Sequence, residues 1–564
     1  MKVIYLNQNS EKYKELKKLK LNFISLWSDN WDDYNYQTTL NANAFIDGKE
    51  VDLPRIKILF DGIQVTFKYL NDLLKEGWDG YFPLVGKNYV SLPVSMDFYE
   101  LLIGHACINQ ARTCAEILND ASYSIRIKDD ESIIKLSNNS AFSTSLLRDR
   151  SASVALQEGW RLFNDDFIEI SNFSFDFDIG EKNKSIPFDF ETKILPHEIN
   201  VLIGPNGCGK SQTLHKMVSK WLDPSLDDSG MYSKELNVRK LIVVSYSPFE
   251  LFPVDLNNFN NISDKSVYNY FGLRRRSNTV DKSKNRIKLS RSYPQIDAVD
   301  SILNCVVDDI KFNRIKDWSN KIDTVYSVLN EAIEFDSIAI EITNKVNKVD
   351  LYSDFIFGTE PVFEKNGKRY IKISNDTNTS LNIEEIRKHV IKTSGVCFFK
   401  KGQLQKMSSG QRLFSYIVIN ILGSIKKNSL IIVDEPELFL HPTLEIEFVS
   451  MLKKILKNYF SKAILATHSL VTVREVPKSC VHVFKKELNE TYINNPPFET
   501  FGGDIQRISS YVFGDKSTSK PYEAWIKSEL ETYGSAKALI DALGRDINEE
   551  MIVQIHSMDK KEWF

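Results

Sequence analysis

Cysteine is scarce in this chain. Six occur in 564 residues, at positions 107, 114, 208, 305, 397 and 480, and none forms a Cys-x-x-Cys pair. That is too sparse for a disulfide scaffold and fits a reducing cytoplasm. Cys107 and Cys114, seven apart in a helical pattern, read as small core residues. Long apolar runs are lacking too: no stretch reaches the roughly 18 residues that a membrane-spanning helix needs. The most apolar helix-like run, residues 413–425, is interrupted by Ser415, Tyr416 and Asn420. The N-terminal "MKVIYLNQNSEKYKELKKLK" has no apolar core of a secretory leader, so no membrane partner is expected. Neither sign of charge is in large excess. A net charge of −3 excludes a polycation, and nucleic-acid contact would have to come from a local patch. Histidines number only eight, with no HNH-like cluster among them.

What is present is ordinary globular material, 42% hydrophobic and 26% charged, at a length that suggests two to four domains. The strongest local signal is "INVLIGPNGCGKSQTLHKMVSKWL". Val201 to Ile203 read as a buried strand. Gly204, Asn206, Gly207, Cys208, Gly209, Lys210 and Ser211 lie in a Gly-x-x-x-x-Gly-Lys-Ser loop, and a helical pattern continues from Gln212. Glycines there let backbone N–H groups turn inward around phosphate oxygens at a helix N-terminus that already favours anions. Lys210 would reach the β- and γ-phosphates, and Ser211 would place its hydroxyl on Mg²⁺.

A second strand, "LIIVDEPELFLHP", climbs through Leu430–Val433 into Asp434 and Glu435. Negative charge at a buried strand end is costly unless a cation waits there. Asp434 is expected to support Mg²⁺ on a nucleotide. Glu435, in the opposite pleat direction, would face the γ-phosphate and deprotonate the attacking water. Upstream by 26 residues, Ser408, Ser409, Gly410 and Gln411 precede an apolar helix that is expected to begin near Arg412. They offer a second anion site at a helix start. Downstream, "AILATHS" is a buried strand ending at Thr467, followed by His468, 33 residues after Glu435.

Together these motifs resemble the ABC-type ATPases of the RecF/SMC/OLD branch. Met407 and Ser409 stand where the signature of that family has Leu and Gly. The resemblance covers residues 165–250 and 390–490. It implies an α/β head, a mostly parallel sheet with an antiparallel β-subdomain, for which "FIEISNFSFDFDI" and "SIPFDFETKIL" supply strands by alternation. It implies ATP and Mg²⁺ as cofactors, and a γ-phosphate contact for His468. It also implies a head-to-head homodimer closed by the signature of the other subunit, with Leu440, His441 and Pro442 on the crossing loop. One element departs: no Gln follows the strand "KLIVVS" before Gln295, so Ser245 or Ser247 would have to stand in for the usual glutamine.

More narrowly, "SYSPFELF", "YNYFGLRRR" and "PPFETFGGDIQRISSYVFGD" are similar to the Septu-type ATPases of bacterial anti-phage systems. That resemblance implies a partner HNH nuclease supplied in trans and an association with a retron reverse transcriptase and its DNA–RNA product. The alternatives are a RecF-like DNA-repair ATPase without a dedicated nuclease and an ABC transporter subunit; the missing Gln, the long N-terminal region and Asp434–Glu437 argue against the transporter. Residues 490–564 offer no Asp-x-Asp strand of the kind a fused OLD-type nuclease needs.

The expected organisation is a small α/β domain over 1–160, the first half of the head over 161–250, an inserted basic loop and helical lid over 251–385, the second half over 386–490, and a mixed helical tail over 491–564. The insertion lacks sustained heptads. Within it, residues 274–291 carry Arg274, Arg275, Arg276, Lys282, Lys284, Arg286, Lys288 and Arg291 against Asp281 alone, a run that reads either as a nucleic-acid backbone contact or as a solvated loop. Asp29, Asp32 and Asp33 read as a solvated loop rather than a metal site.

Overall fold

The computed structural model describes residues 1–564 apart from 30–34, 165, 167–168, 180–181, 192–193, 227–229, 260–261, 263, 278–286, 316, 345, 347–350, 353–360, 376–380, 488–489, 515–520, 545 and 560–564. Lys282, Lys284 and Arg286 of the basic run, and Asp32 and Asp33, lie outside the described residues. Two compact units are present, Met1–Gly502 and Gly503–Phe564.

The centre of the first unit is a seven-stranded sheet in the order Tyr268–Gly272, Lys240–Ser245, Ser429–Asp434, Lys462–Thr467, Ile199–Ile203, Val481–Glu487, Glu490–Asn494. The first six strands are parallel and the last pairs antiparallel. Near-continuous apolar runs such as Leu430–Val433 form central strands because both faces of such a sheet are covered. The strand that leads into His468 lies between the strand ending at Ile203 and the strand ending at Asp434. All three therefore discharge at the same edge. Strands Phe173–Ile179 and Lys182–Phe188, with Met231–Tyr232, form the antiparallel subsheet. Their alternating Phe173, Phe175, Phe177 and Phe188 enter the same core as Leu214, Met217 and Trp221 of the helix Lys210–Leu222.

The N-terminal region holds its own six-stranded sheet, ordered Tyr81–Phe82, Lys2–Tyr5, Phe23–Ser28, Thr39–Ile46, Lys49–Phe60, Tyr89–Pro93, with helices from Asp97 to Leu162 packed on it. Arg239 fastens it to the head, its guanidinium 2.7 Å from both Asp97 Oδ1 and Glu100 Oε1. Arg150 lies over the ring of Trp221.

The insertion differs from a purely helical lid. Helices Tyr293–Phe312 and Lys321–Ala332 are followed by a five-stranded antiparallel sheet built from Val362–Lys365, Lys368–Ile373, Ser337–Ile342, Val396–Lys400 and Gln403–Leu404, the last two strands lying past the expected boundary at 385. The short alternating segments "SIAIEI" and "KRYIKI" are its central pair. The second unit consists of helices Ile505–Phe513, Pro521–Tyr533, Ala536–Leu543 and Glu549–Met558, with a small core of Ile526, Ala536, Leu539 and Ile555. Among the described residues no helix is long and apolar enough to cross a membrane.

Candidate functional site

The phosphate loop joins strand Ile199–Ile203 to helix Lys210–Leu222. Gly209, at φ +101°, is the residue before the first helical turn, a left-handed conformation that favours glycine. A Cβ on Gly204 would lie 2.2 Å from the Phe484 carbonyl oxygen, so only glycine lets the loop pass that neighbouring strand. Asn206, Gly207 and Gln212 are exposed around the loop, whereas Cys208 is buried with its thiol directed 2.9 Å from the Pro205 carbonyl. Burial pushes that thiol above its usual range.

Lys210 is 5% exposed. Its ammonium donates to Gly204 O (2.8 Å) and Pro205 O (3.2 Å) and lies 2.9 Å from His468 Nε2. Burial holds its pKa below the ordinary lysine value. Burial, and next the Lys210 cation, push His468 down to about 4. The imidazole is therefore neutral at neutral pH, and its 3.7 Å approach to Glu435 Oε1 is a contact rather than an ion pair.

Ser211 Oγ donates to Asp434 Oδ1 at 2.9 Å, bringing the two expected Mg²⁺ ligands together across 223 residues of sequence. Asp434 is pushed up to about 7, chiefly by burial; the Ser211 hydrogen bond opposes this, and the carboxylates of Glu435, Glu250 and Glu437 add to it. A carboxyl held so high is a site that gains from a cation. Among the described residues no group of three or more His, Cys, Asp or Glu could hold a metal ion by itself. Mg²⁺ needs no such cage when phosphate oxygens and water complete its shell, so Ser211 and Asp434 fit the ion.

Glu435 is aimed by a turn rather than by the pleat. The strand ends at Asp434, and Glu435 takes φ +51°, ψ +56°, with its N–H donating to Ala466 O. Left-handed backbone at a glutamate costs on the order of 1 kcal/mol and is a feature concentrated at functional sites.

The signature segment begins earlier than its apolar pattern implies. The helix runs Ser409–Ser424, and Ser408 is its N-cap in a reciprocal capping box with Gln411: Gln411 N donates to Ser408 Oγ, and Ser408 N donates to Gln411 Oε1. Hydroxyl and amide caps hold the first turn where an Arg412 start would have left it unformed. Gly410 sits against the Phe439 carbonyl, 3.1 Å from where a Cβ would be. Thus the signature touches the loop that leaves the acidic strand, whose Leu440 and Pro442 flank His441, the N-cap of helix Pro442–Asn458.

Two carboxylates not singled out from sequence belong to this site. Glu437 accepts from the His468 backbone N–H, and its second oxygen is buried without a hydrogen-bond partner among the described residues. Burial raises its pKa. The signal was available, since Glu437 lies two residues past Glu435 in the same motif. Glu250 lies in the loop where the glutamine is missing. It is gripped by the Tyr270 hydroxyl, the Phe252 N–H and, at 2.9 Å, Arg274. Ser245 is in register with Asp434, its buried hydroxyl unpartnered, and Ser247 accepts a long 3.4 Å bond from Phe249 N. Of these loop residues it is Glu250 whose charge reaches Asp434.

The basic run is corrected at its first three members. Arg274, Arg275 and Arg276 pair with Glu250, Asp297 and Asp255, in a strand that pairs with Ile287–Leu289. Their charge is spent internally and does not form a free stripe.

Residues 399–474, from the last strands of the insertion through the signature helix, Asp434 and His468, match the family profile described as "AAA domain, putative AbiEii toxin, Type IV TA system". The chain is 24% identical over 532 residues to Protein ea59 of Escherichia phage lambda, covering 91% of this chain and 90% of that protein. It is 34% identical over 130 residues to the spermidine/putrescine import ATP-binding protein PotA of Borrelia garinii subsp. bavariensis, covering 22% of this chain and 34% of the relative. Among solved structures, the SMC head domain from Thermotoga maritima is 12% identical with a TM-score of 0.25, over 59% of this chain and 100% of that one. In fold, the first unit is a mostly parallel seven-stranded α/β sheet with an antiparallel subsheet, an added N-terminal sheet and an inserted one, and its residues 399–474 match that AAA-domain profile.

Proposed function

We propose that the chain binds Mg²⁺–ATP and hydrolyses it between two copies of itself, and that the resulting opening and closing governs a nuclease supplied in trans. The observation that carries the reading is the convergence of Lys210, Ser211, Asp434, Glu435 and His468 at one sheet edge, linked by contacts of 2.9 to 3.7 Å. Lys210 leaves its loop carbonyls for the β- and γ-phosphate oxygens. Ser211 and Asp434 hold Mg²⁺, which when bound neutralises charge developing on the phosphates. Glu435 accepts the proton of the attacking water, and neutral His468 donates a hydrogen bond toward the γ-phosphate, its ring position fixed by the Glu437 grip on its backbone.

Exposed Ser408 and half-buried Gly410 form the lip that a second copy would place over that phosphate. The apolar surface beside it supports a partner face: Phe249, Leu251, Leu289, Leu438 and Phe439 are all exposed, and a cavity of about 850 Å³ bounded by Ser409, Leu289 and Phe439 opens there. An anti-phage role with an HNH nuclease and a retron draws on the Septu-like motifs and on the "putative AbiEii toxin" wording of the profile that residues 399–474 match.

Trans complementation tests the shared site. Ser408→Arg fills the γ-phosphate space of the partner's nucleotide, and Lys210→Ala weakens nucleotide binding in its own loop. Each alone should release phosphate from ATP at a few per cent of the wild-type rate or less. A mixture should recover a substantial fraction, because one composite site is intact in the mixed dimer. Normal turnover by Ser408→Arg alone would contradict a signature acting in trans.

A further inference from the structure

A second cavity, of about 780 Å³, lies at the opposite end of the central strands, between the N-terminal sheet and the head. Its walls carry seven lysines and arginines against five aspartates. Most of that charge is already paired. Asp308 is shared by Lys321 (2.8 Å) and Lys426 (3.1 Å), and Asp97 by Arg239 (2.7 Å) and Lys426 (3.8 Å). Asp264 caps the turn at Ser266, and Asp149 Oδ2 faces Lys57 at 3.5 Å.

Among the described residues Lys240, Lys265 and Lys311 form no ion pair with a carboxylate, and Lys265 instead donates to Asn257 Oδ1 at 3.0 Å. The Lys311 ammonium lies over the ring of Phe312, and its charge reaches Asp97 without forming an ion pair. Lys240 is the first residue of its strand; burial, and then the ammoniums of Lys426 and Lys321, push it down to about 7 against the weaker opposing charges of Asp308 and Asp264, neither of which pairs with it. On the other wall two polar atoms also lack hydrogen-bond partners among the described residues. They are Thr39 Oγ1, on a residue 2% exposed, and Asp149 Oδ1, on a residue 7% exposed. Unsatisfied groups of both kinds, facing one cavity, are costly unless something meets them.

We propose that this cavity binds a phosphorylated small molecule of mononucleotide size, its phosphate at Lys240 and Lys311 and a hydroxyl or amino group at Thr39 and Asp149. The volume falls in the range of small-molecule sites, about 300–1,000 Å³, and is too large for inorganic phosphate alone. The site is separate from the phosphate loop. Lys240 pairs with Ser429 at the start of the strands, whereas Ser245 pairs with Asp434 at their far end, roughly 17 Å away at about 3.3 Å per residue. Lys426 follows the signature helix directly. The ligand would thus hold one strand and one helix that both end at the ATP site, the geometry of an effector pocket.

Titration calorimetry on the full chain tests this in the Lys210→Ala background, with AMP and inorganic phosphate as separate probes. AMP should bind at one site per chain, at least tenfold more tightly than phosphate. Lys240→Gln should weaken AMP at least tenfold, while Lys240→Arg, which keeps the charge, retains it. Thr39→Val should weaken AMP without changing the affinity for phosphate, and its melting temperature reports that the chain is folded. No AMP binding up to millimolar concentration, equal affinity for AMP and phosphate, or unchanged affinity in Lys240→Gln would each overturn the proposal.

Discussion

At the residue scale the site is a set of groups held out of their ordinary protonation and backbone states. Asp434 is pushed up by burial, Lys210 and His468 are pushed down, and Glu435 sits in left-handed backbone. Lys210, Ser211, Asp434, Glu435 and His468 were legible because each lies in a short run whose neighbours announce a strand end or a phosphate loop. Glu250 was not, because its partners Tyr270 and Arg274 come from a later strand and only folding delivers them. His482 shows the same distinction in the core. It is buried beside the phosphate-loop strand, contacts Asn200 Oδ1 at 3.1 Å, and burial lowers it to about 3. Between its ordinary value near 6.5 and about 3 the unfolded chain binds a proton there and the folded chain does not. Stability therefore falls as pH drops through that window. Denaturant midpoints from pH 7 to 4 should fall less steeply for His482→Gln than for the wild type; parallel curves would remove His482 as a contributor.

At the scale of elements, the parallel strands were readable from apolar runs bounded by chemistry. The five-stranded sheet in the insertion was not. Its strands are four to six residues long or shorter, their alternation competes with flanking charge, and Ser337–Ile342 pairs with Val396–Lys400 across more than fifty residues. The start of the signature helix was misplaced because its first turn is polar and is held by caps, not by an apolar face. Past that turn the helix packs tightly on Tyr293–Phe312. A Cβ on Gly423 would lie 2.4 Å from Ser301 O and 2.6 Å from Ser301 Cα. Gly423→Val should force the two helices apart and cost about 1–3 kcal/mol, the usual range for overpacking. A urea midpoint unchanged from wild type would show that the helices part without penalty.

At the scale of the whole molecule, Met1–Gly502 is one compact unit, with Arg239 and Phe312 tying the N-terminal sheet to the head. In the proposed function, nucleotide-driven movement lies between two copies of the chain, and the hydrolysis that drives it rests on Glu435. The most direct measurement compares wild type with Glu435→Gln, reading ATP affinity and phosphate release on the same preparations. The amide keeps the side chain's shape but cannot take the proton of water. The account predicts ATP affinity within a few-fold of wild type and turnover lowered at least a hundredfold, in the range that a positioned general base contributes. Phosphate release at the wild-type rate by Glu435→Gln would contradict it.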